Sequence, residues 1–240
     1  LERDVWASKG HPEWGPFTYA KDDPSRSTSG LAATIATYYA AAGKTQGLTE
    51  ADVASRPVSD FVRQVEANVL YHPADIVDFL ASLDESEAAA PTAGGPPASH
   101  VSAVVMQEQL LYLHNQGNPG GDPALVGKAR PSARPFVAIH PADGTIVLDH
   151  PYVVLPDADA AAQAAAASFL EYLRQPAQQQ RFAALGFRDT ADVPGADLAR
   201  SLAMPTSHRP SPLRAPSAAV IGRIRASWRQ AYTPSDLLGR

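Results

Sequence analysis

Residues 23–31 read DPSRSTSGL, and the apolar run LAATIATYYAAA follows without a break over residues 31–42. Leu31, Ile35, Tyr38 and Tyr39 recur at helical spacing, and Gly43 stands where a left-handed cap costs little, so the pair of segments reads as a helix with its start and its stop. The first turn of a helix carries unpaired N–H groups at the positive end of its dipole. Ser27, Thr28 and Ser29 add hydroxyl donors there, and Gly30 lets a ligand approach the backbone, which makes this turn a candidate site for an anion or a carbonyl. The same residues also suffice as an ordinary N-cap behind a polar loop. They do not make a nucleophile elbow, which needs glycines two before and two after the serine; Ser29 has Ser27 before it and Leu31 after it.

Working outward, Thr49 and Asp52 repeat the capping logic before a short helix. Ser59 opens a further helix with Phe61, Val62, Val65 and Val69 on one apolar face, and Pro73 restarts another carrying Ile76, Val77, Leu80 and Leu83. Residues 88–99, AAAPTAGGPPAS, have no periodicity and read as an exposed loop. Residues 101–106 are a short β-branched run, a strand leading directly into a helix over 107–116. After a second Gly/Pro-rich loop, residues 136–140 and 145–155 read as two strands joined through Asp143-Gly144, which predicts a hairpin. An Ala-rich helix over 157–174 and a second over 176–185 follow, then an irregular stretch and a last helix over 217–232 with Val220, Ile221, Ile224 and Trp228 on one side.

The whole chain has 240 residues, 45% of them hydrophobic. That is enough for one large α/β domain or two lobes of about 100 to 150 residues each. Its 20 basic and 25 acidic residues are dispersed, with a formal net charge of −5, so there is no basic stripe for a nucleic-acid partner. The absence of cysteine removes thiol catalysis, thiolate metal sites and disulfides. No apolar run approaches the roughly 20 residues of a membrane span. Walker A, HExxH, GxGxxG and EF-hand patterns are missing, and no cofactor is expected.

Three further positions invite a binding role. Gln107 and Glu108 fall where the 101–106 strand becomes a helix, and strand carboxyl ends are where open α/β sheets bind ligands; as helix-start residues favoured by the dipole they also need no such role. Tyr152 is an amphipathic aromatic suited to a ligand or to a core. His140, Asp143, Asp149 and His150 carry metal-ligating groups, but in a hairpin turning near Asp143 the two imidazoles stand about 13 Å apart, so no metal site is expected.

Three segments together resemble type II solute-binding proteins of bacteria, particularly the actinobacterial kind often followed by a von Willebrand factor A domain: WGPFTYAKDDPSRSTSGLAATIATYYAAAGK (14–44), VSAVVMQEQLLYLHNQG (101–117) and DGTIVLDHPYVVLPDADAAAQAAAASFLEYLRQPAQQQRFAALGFR (143–188). The resemblance implies an α/β, two-lobed clamp with Rossmann-like lobes: residues 1–150 as the second lobe, carrying the Ser/Thr-rich helix start, and 151–240 as the remaining part of the first. It implies an extracytoplasmic protein that captures a small polar or anionic solute in an interlobe cleft for ABC-type uptake or sensing and is not an enzyme. Ser27, Thr28 and Ser29 are its implied ligand contacts, with Gln107, Glu108 and Tyr152 beside them. Family members begin with about a further lobe-half of βαβ sequence ahead of the WGPF-like segment, so the expectation includes a first lobe without its N-terminal part, or completed by another chain. AVIGRIRASWRQAYTPSDLLGR (219–240) resembles the junction ahead of an A domain, whose DxSxS motif is not in this sequence. The partners implied are an ABC permease or an attached A domain, and the rival reading is a surface interaction or sensory protein with a degenerate solute-binding fold that acts through that domain.

Overall fold

The computed structural model describes residues 4–89, 101–132, 135–203 and 211–231. In chain order the helices and strands are α1 (Val5–Ser8), β1 (Tyr19–Lys21), α2 (Thr28–Ala42), α3 (Glu50–Ala54), α4 (Arg56–Glu66), β2 (Val69–Tyr71), α5 (Ile76–Ala89), β3 (Ala103–Val105), α6 (Glu108–Asn115), α7 (Ala160–Arg174), α8 (Pro176–Ala184), α9 (Ala196–Ser201) and α10 (Ala218–Ala231). The protein is a mixed α/β chain. Its described residues group into two compact units, one within 1–107, 140–146 and 210–240, the other within 108–139 and 147–209. Neither unit is continuous in sequence, whereas the sequence reading places a single boundary at residue 150.

The first unit is built on a three-stranded parallel sheet in the order β2-β1-β3. Each strand is three residues long, and the register along β3 runs from Tyr19 beside Ala103 to Lys21 beside Val105. Helix α2 begins where Ser27 accepts a hydrogen bond from the Gly30 amide and ends at Gly43 in the left-handed region. It buries Leu31, Ile35, Tyr38 and Tyr39 in a core with Leu48, Val53, Val58 and Val62, which Leu213, Val220 and Ile224 of the returning chain complete. Thr49 and Asp52 form the reciprocal capping box at α3 expected from their spacing.

Two of the three strands escape the sequence reading. Val69 belongs to β2 rather than to the apolar face of the preceding helix, which ends at Glu66. Helix α4 also starts earlier than Ser59, with Ser55 as its cap and Pro57 in its first turn. The expected hairpin is absent among the described residues: 136–140 and 145–155 form no ladder. Gly144 does follow a turn, its amide donating to the Pro141 carbonyl. Thr145 then pairs with the 211–213 segment, donating to the Ser211 carbonyl and accepting from the Leu213 amide at 2.8 Å, so its ladder bonds lie there. Residues 90–99 of the expected 88–99 loop lie outside the described residues.

The second unit is helical. Helix α6 buries Leu110 to His114, and α9 adds Leu198 and Ala199. The Asn115 amide group brackets Phe136, donating to its carbonyl and accepting from its N–H. Gly186, in the left-handed region, lies against the Tyr112 ring so closely that an added Cβ would stand 2.7 Å from Cδ1. Helices α7 and α8 bury no residue, and Val137, Ile139, Val153, Leu155 and Phe169 are exposed. No described helix is long and apolar enough to cross a membrane.

Candidate functional site

Strand β1 ends at Lys21 and leads into Asp22 and Asp23, and all three charged residues are buried. The chain then turns through Pro24 into α2. Asp23 holds the turn, its Oδ1 accepting from the Ser25 amide at 2.7 Å and the Ser25 hydroxyl at 2.6 Å. Asp22 holds the helix start: its Oδ2 accepts from both the Ser27 and the Ser29 hydroxyl at 2.6 Å. The positive end of α2 thus already faces a carboxylate of the chain itself, the sign of charge that its dipole favours. The other oxygen, Oδ1, is buried and has no hydrogen-bond partner among the described residues. Gly30 permits this approach, because a Cβ there would lie 2.3 Å from the Asp22 carbonyl oxygen.

Behind the turn, the Lys21 ammonium pairs with the Glu66 carboxylate of α4 and donates to the Thr34 hydroxyl at 2.8 Å. Thr34 in turn donates to the Gly30 carbonyl. Burial pulls the Lys21 ammonium below the ordinary lysine range, opposed by the Glu66 charge. His72 stands 3.9 Å from Glu66 Oε2 and edge-on to Trp228. Burial, with the Lys21 charge, lowers the His72 imidazole to about 4, against the pull of Asp23. Burial raises the Tyr38 phenol.

The sequence-derived residues scatter across the two units. Ser27 is half-buried, Thr28 exposed and Ser29 buried, all on the first unit at the carboxyl end of β1. Gln107 belongs to the same unit, two residues beyond the end of β3. Glu108 belongs to the second unit and is held by the Arg188 guanidinium through two hydrogen bonds of 2.7 and 2.8 Å. Tyr152 also lies there, exposed, donating to the Ala166 carbonyl at 3.1 Å; it lines a shallow groove of about 410 Å³ with Val154, Leu155, Pro156, Gln163 and Leu170. Among the described residues no three metal-binding side chains gather in one place.

Lys21, Asp22 and Glu66 are missing from the sequence-derived set. Glu66 leaves a trace in the sequence: it follows Val58 and Val62 at intervals of four, and all three are buried. A carboxylate on an apolar helical stripe signals a buried partner. Asp22 is the residue just ahead of DPSRSTSGL, and nothing in its spacing separates it from Asp23.

Comparison with known proteins yields no match: no family model, no curated protein and no solved structure matches the chain.

Proposed function

We propose that this is a solute-binding protein of the two-lobed, type II periplasmic kind, which holds a small polar solute without transforming it and serves extracytoplasmic uptake or sensing. The observation that supports the reading is the placement of the hydroxyl-rich turn. In the order β2-β1-β3 the chain leaves the central strand to one side for β2 and crosses to the other for β3. Open parallel sheets bind ligands at the carboxyl ends of strands where that order reverses, between the first strand and the third. Ser27, Thr28 and Ser29 follow the carboxyl end of β1, and Gln107 follows that of β3. A solute held there binds the ligand-competent conformation better than any other and shifts the population toward it, a change that a permease can read.

A second reading is favoured by the Asp22 carboxylate. Two of the three hydroxyls are satisfied within the chain, as they would be in a surface or sensory protein that keeps the fold and acts through an attached A domain. Hydrogen exchange separates the two. With a small-molecule extract added, the first reading expects slower exchange over residues 22–31 and 105–107 and a solute recovered unchanged by mass spectrometry. Unaltered exchange at both segments overturns it in favour of the second.

A further inference from the structure

We infer that the ligand of this site is an organic ammonium ion whose N–H groups bind Asp22 Oδ1; this rests on the solute-binding reading above and specifies its chemistry. Asp22 is 3% exposed. Its Oδ2 takes the hydroxyls of Ser27 and Ser29, while Oδ1 takes no donor among the described residues. A carboxylate offers about four lone-pair positions, and a buried oxygen left without any donor is a costly arrangement in a finished site.

The sign of the ligand follows from what is already there. An oxyanion arriving at the turn would meet the Asp22 carboxylate on the very hydroxyls it needs. A donor meets an acceptor. Between a neutral polyol and a cation, the buried charge decides: Asp22, Asp23 and Glu66 are buried carboxylates, and Lys21 is the only lysine or arginine among the buried described residues. Three carboxylates against one ammonium leave a formal excess of negative charge in a poorly solvated place, which a cationic ligand offsets and a polyol does not.

Titration of the 240-residue chain with putrescine, glucosamine, glucose and phosphate tests this by thermal shift and calorimetry. Putrescine or glucosamine is expected to bind and to raise Tm, glucose and phosphate to do neither. Asp22→Asn, which keeps the side-chain shape, should weaken the amine by about tenfold or more, the usual worth of a hydrogen bond to a charged group. The glucosamine and glucose pair needs no variant, so the outcome does not depend on the folding of Asp22→Asn. Glucose binding as tightly as glucosamine, or phosphate binding in place of both amines, overturns the ammonium assignment. If neither amine binds, the assignment also falls. In that case exchange protection by the small-molecule extract shows that the solute-binding reading survives, and its absence shows that both have failed.

Discussion

The Lys21 ammonium and the Glu66 carboxylate form an ion pair in which neither side chain is more than 2% exposed. It joins the central strand to α4 beneath the α2 N-terminus. Removing one partner of a buried pair leaves an uncompensated charge and costs about 3–5 kcal/mol, while replacing both by apolar groups of similar volume is often neutral. Lys21→Met and Glu66→Leu are therefore each expected to lose that amount in urea unfolding, and the double variant less than either. Additive losses would show that the two groups act independently.

His72 gives the protein an acid-sensitive element. Its folded pKa of about 4 lies below the unfolded value of about 6.5. The unfolded chain thus binds the proton more tightly, and the contribution is complete above pH 6.5 and lost as pH falls through 4. A gap of this size amounts to about 3 kcal/mol over that window. His72→Gln, neutral throughout, should flatten the fall in stability between pH 6.5 and 4 relative to the parent. Parallel pH curves for the two would rule out His72 as its source.

Gly30→Ala offers a test in which the sign is unusual. Inside a helix this change ordinarily stabilises by about 1 kcal/mol. Here the new Cβ would stand 2.3 Å from the Asp22 carbonyl oxygen and 2.8 Å from its carbon, and both are backbone atoms that no rotamer can move. A loss of about 1–3 kcal/mol is expected instead, the range for overpacking, with slower-exchanging amides of β1 and α2 becoming faster. A stabilised variant would mean that β1 and α2 separate freely at this point.

The longer helices were legible in the sequence because they carry apolar residues at intervals of three and four, α2 through Leu31, Ile35 and Tyr38, α10 through Val220, Ile224 and Trp228. Helices α1 and α9, of four and six residues, are too short to show that period, and α9 falls in the stretch read as irregular. Strands β1 and β2 were not, because three residues are too few to display an alternation, and their burial on the sheet replaces any apolar-polar rhythm. The strand-like pattern of 136–140 and 145–155 misled for the opposite reason. β-branched residues and Asp-Gly describe local preference, while the partner of Thr145 is 66 or more residues away at Ser211 and Leu213. At the candidate site, Ser27 and Ser29 stood out by type, but their acceptor Asp22 could be told from Asp23 only once the turn at Pro24 had been folded.

The fork between Arg188 and Glu108 carries a final prediction, for the second unit. The guanidinium donates Nε–H and Nη2–H to the two carboxylate oxygens, with Arg188 14% and Glu108 31% exposed, and the Glu108 carboxylate raises the Arg188 pKa further. A lysine cannot reproduce two parallel bonds, so Arg188→Lys is expected to cost about 1–2 kcal/mol despite keeping the charge. The Arg200–Asp197 pair supplies the control: it is exposed at both ends, and Arg200→Lys should change stability by no more than about 0.5 kcal/mol. Both comparisons belong at neutral pH in matched salt, since screening weakens the exposed pair first. Equal effects for the two lysine variants would show that the charge at residue 188 matters there and its forked geometry does not.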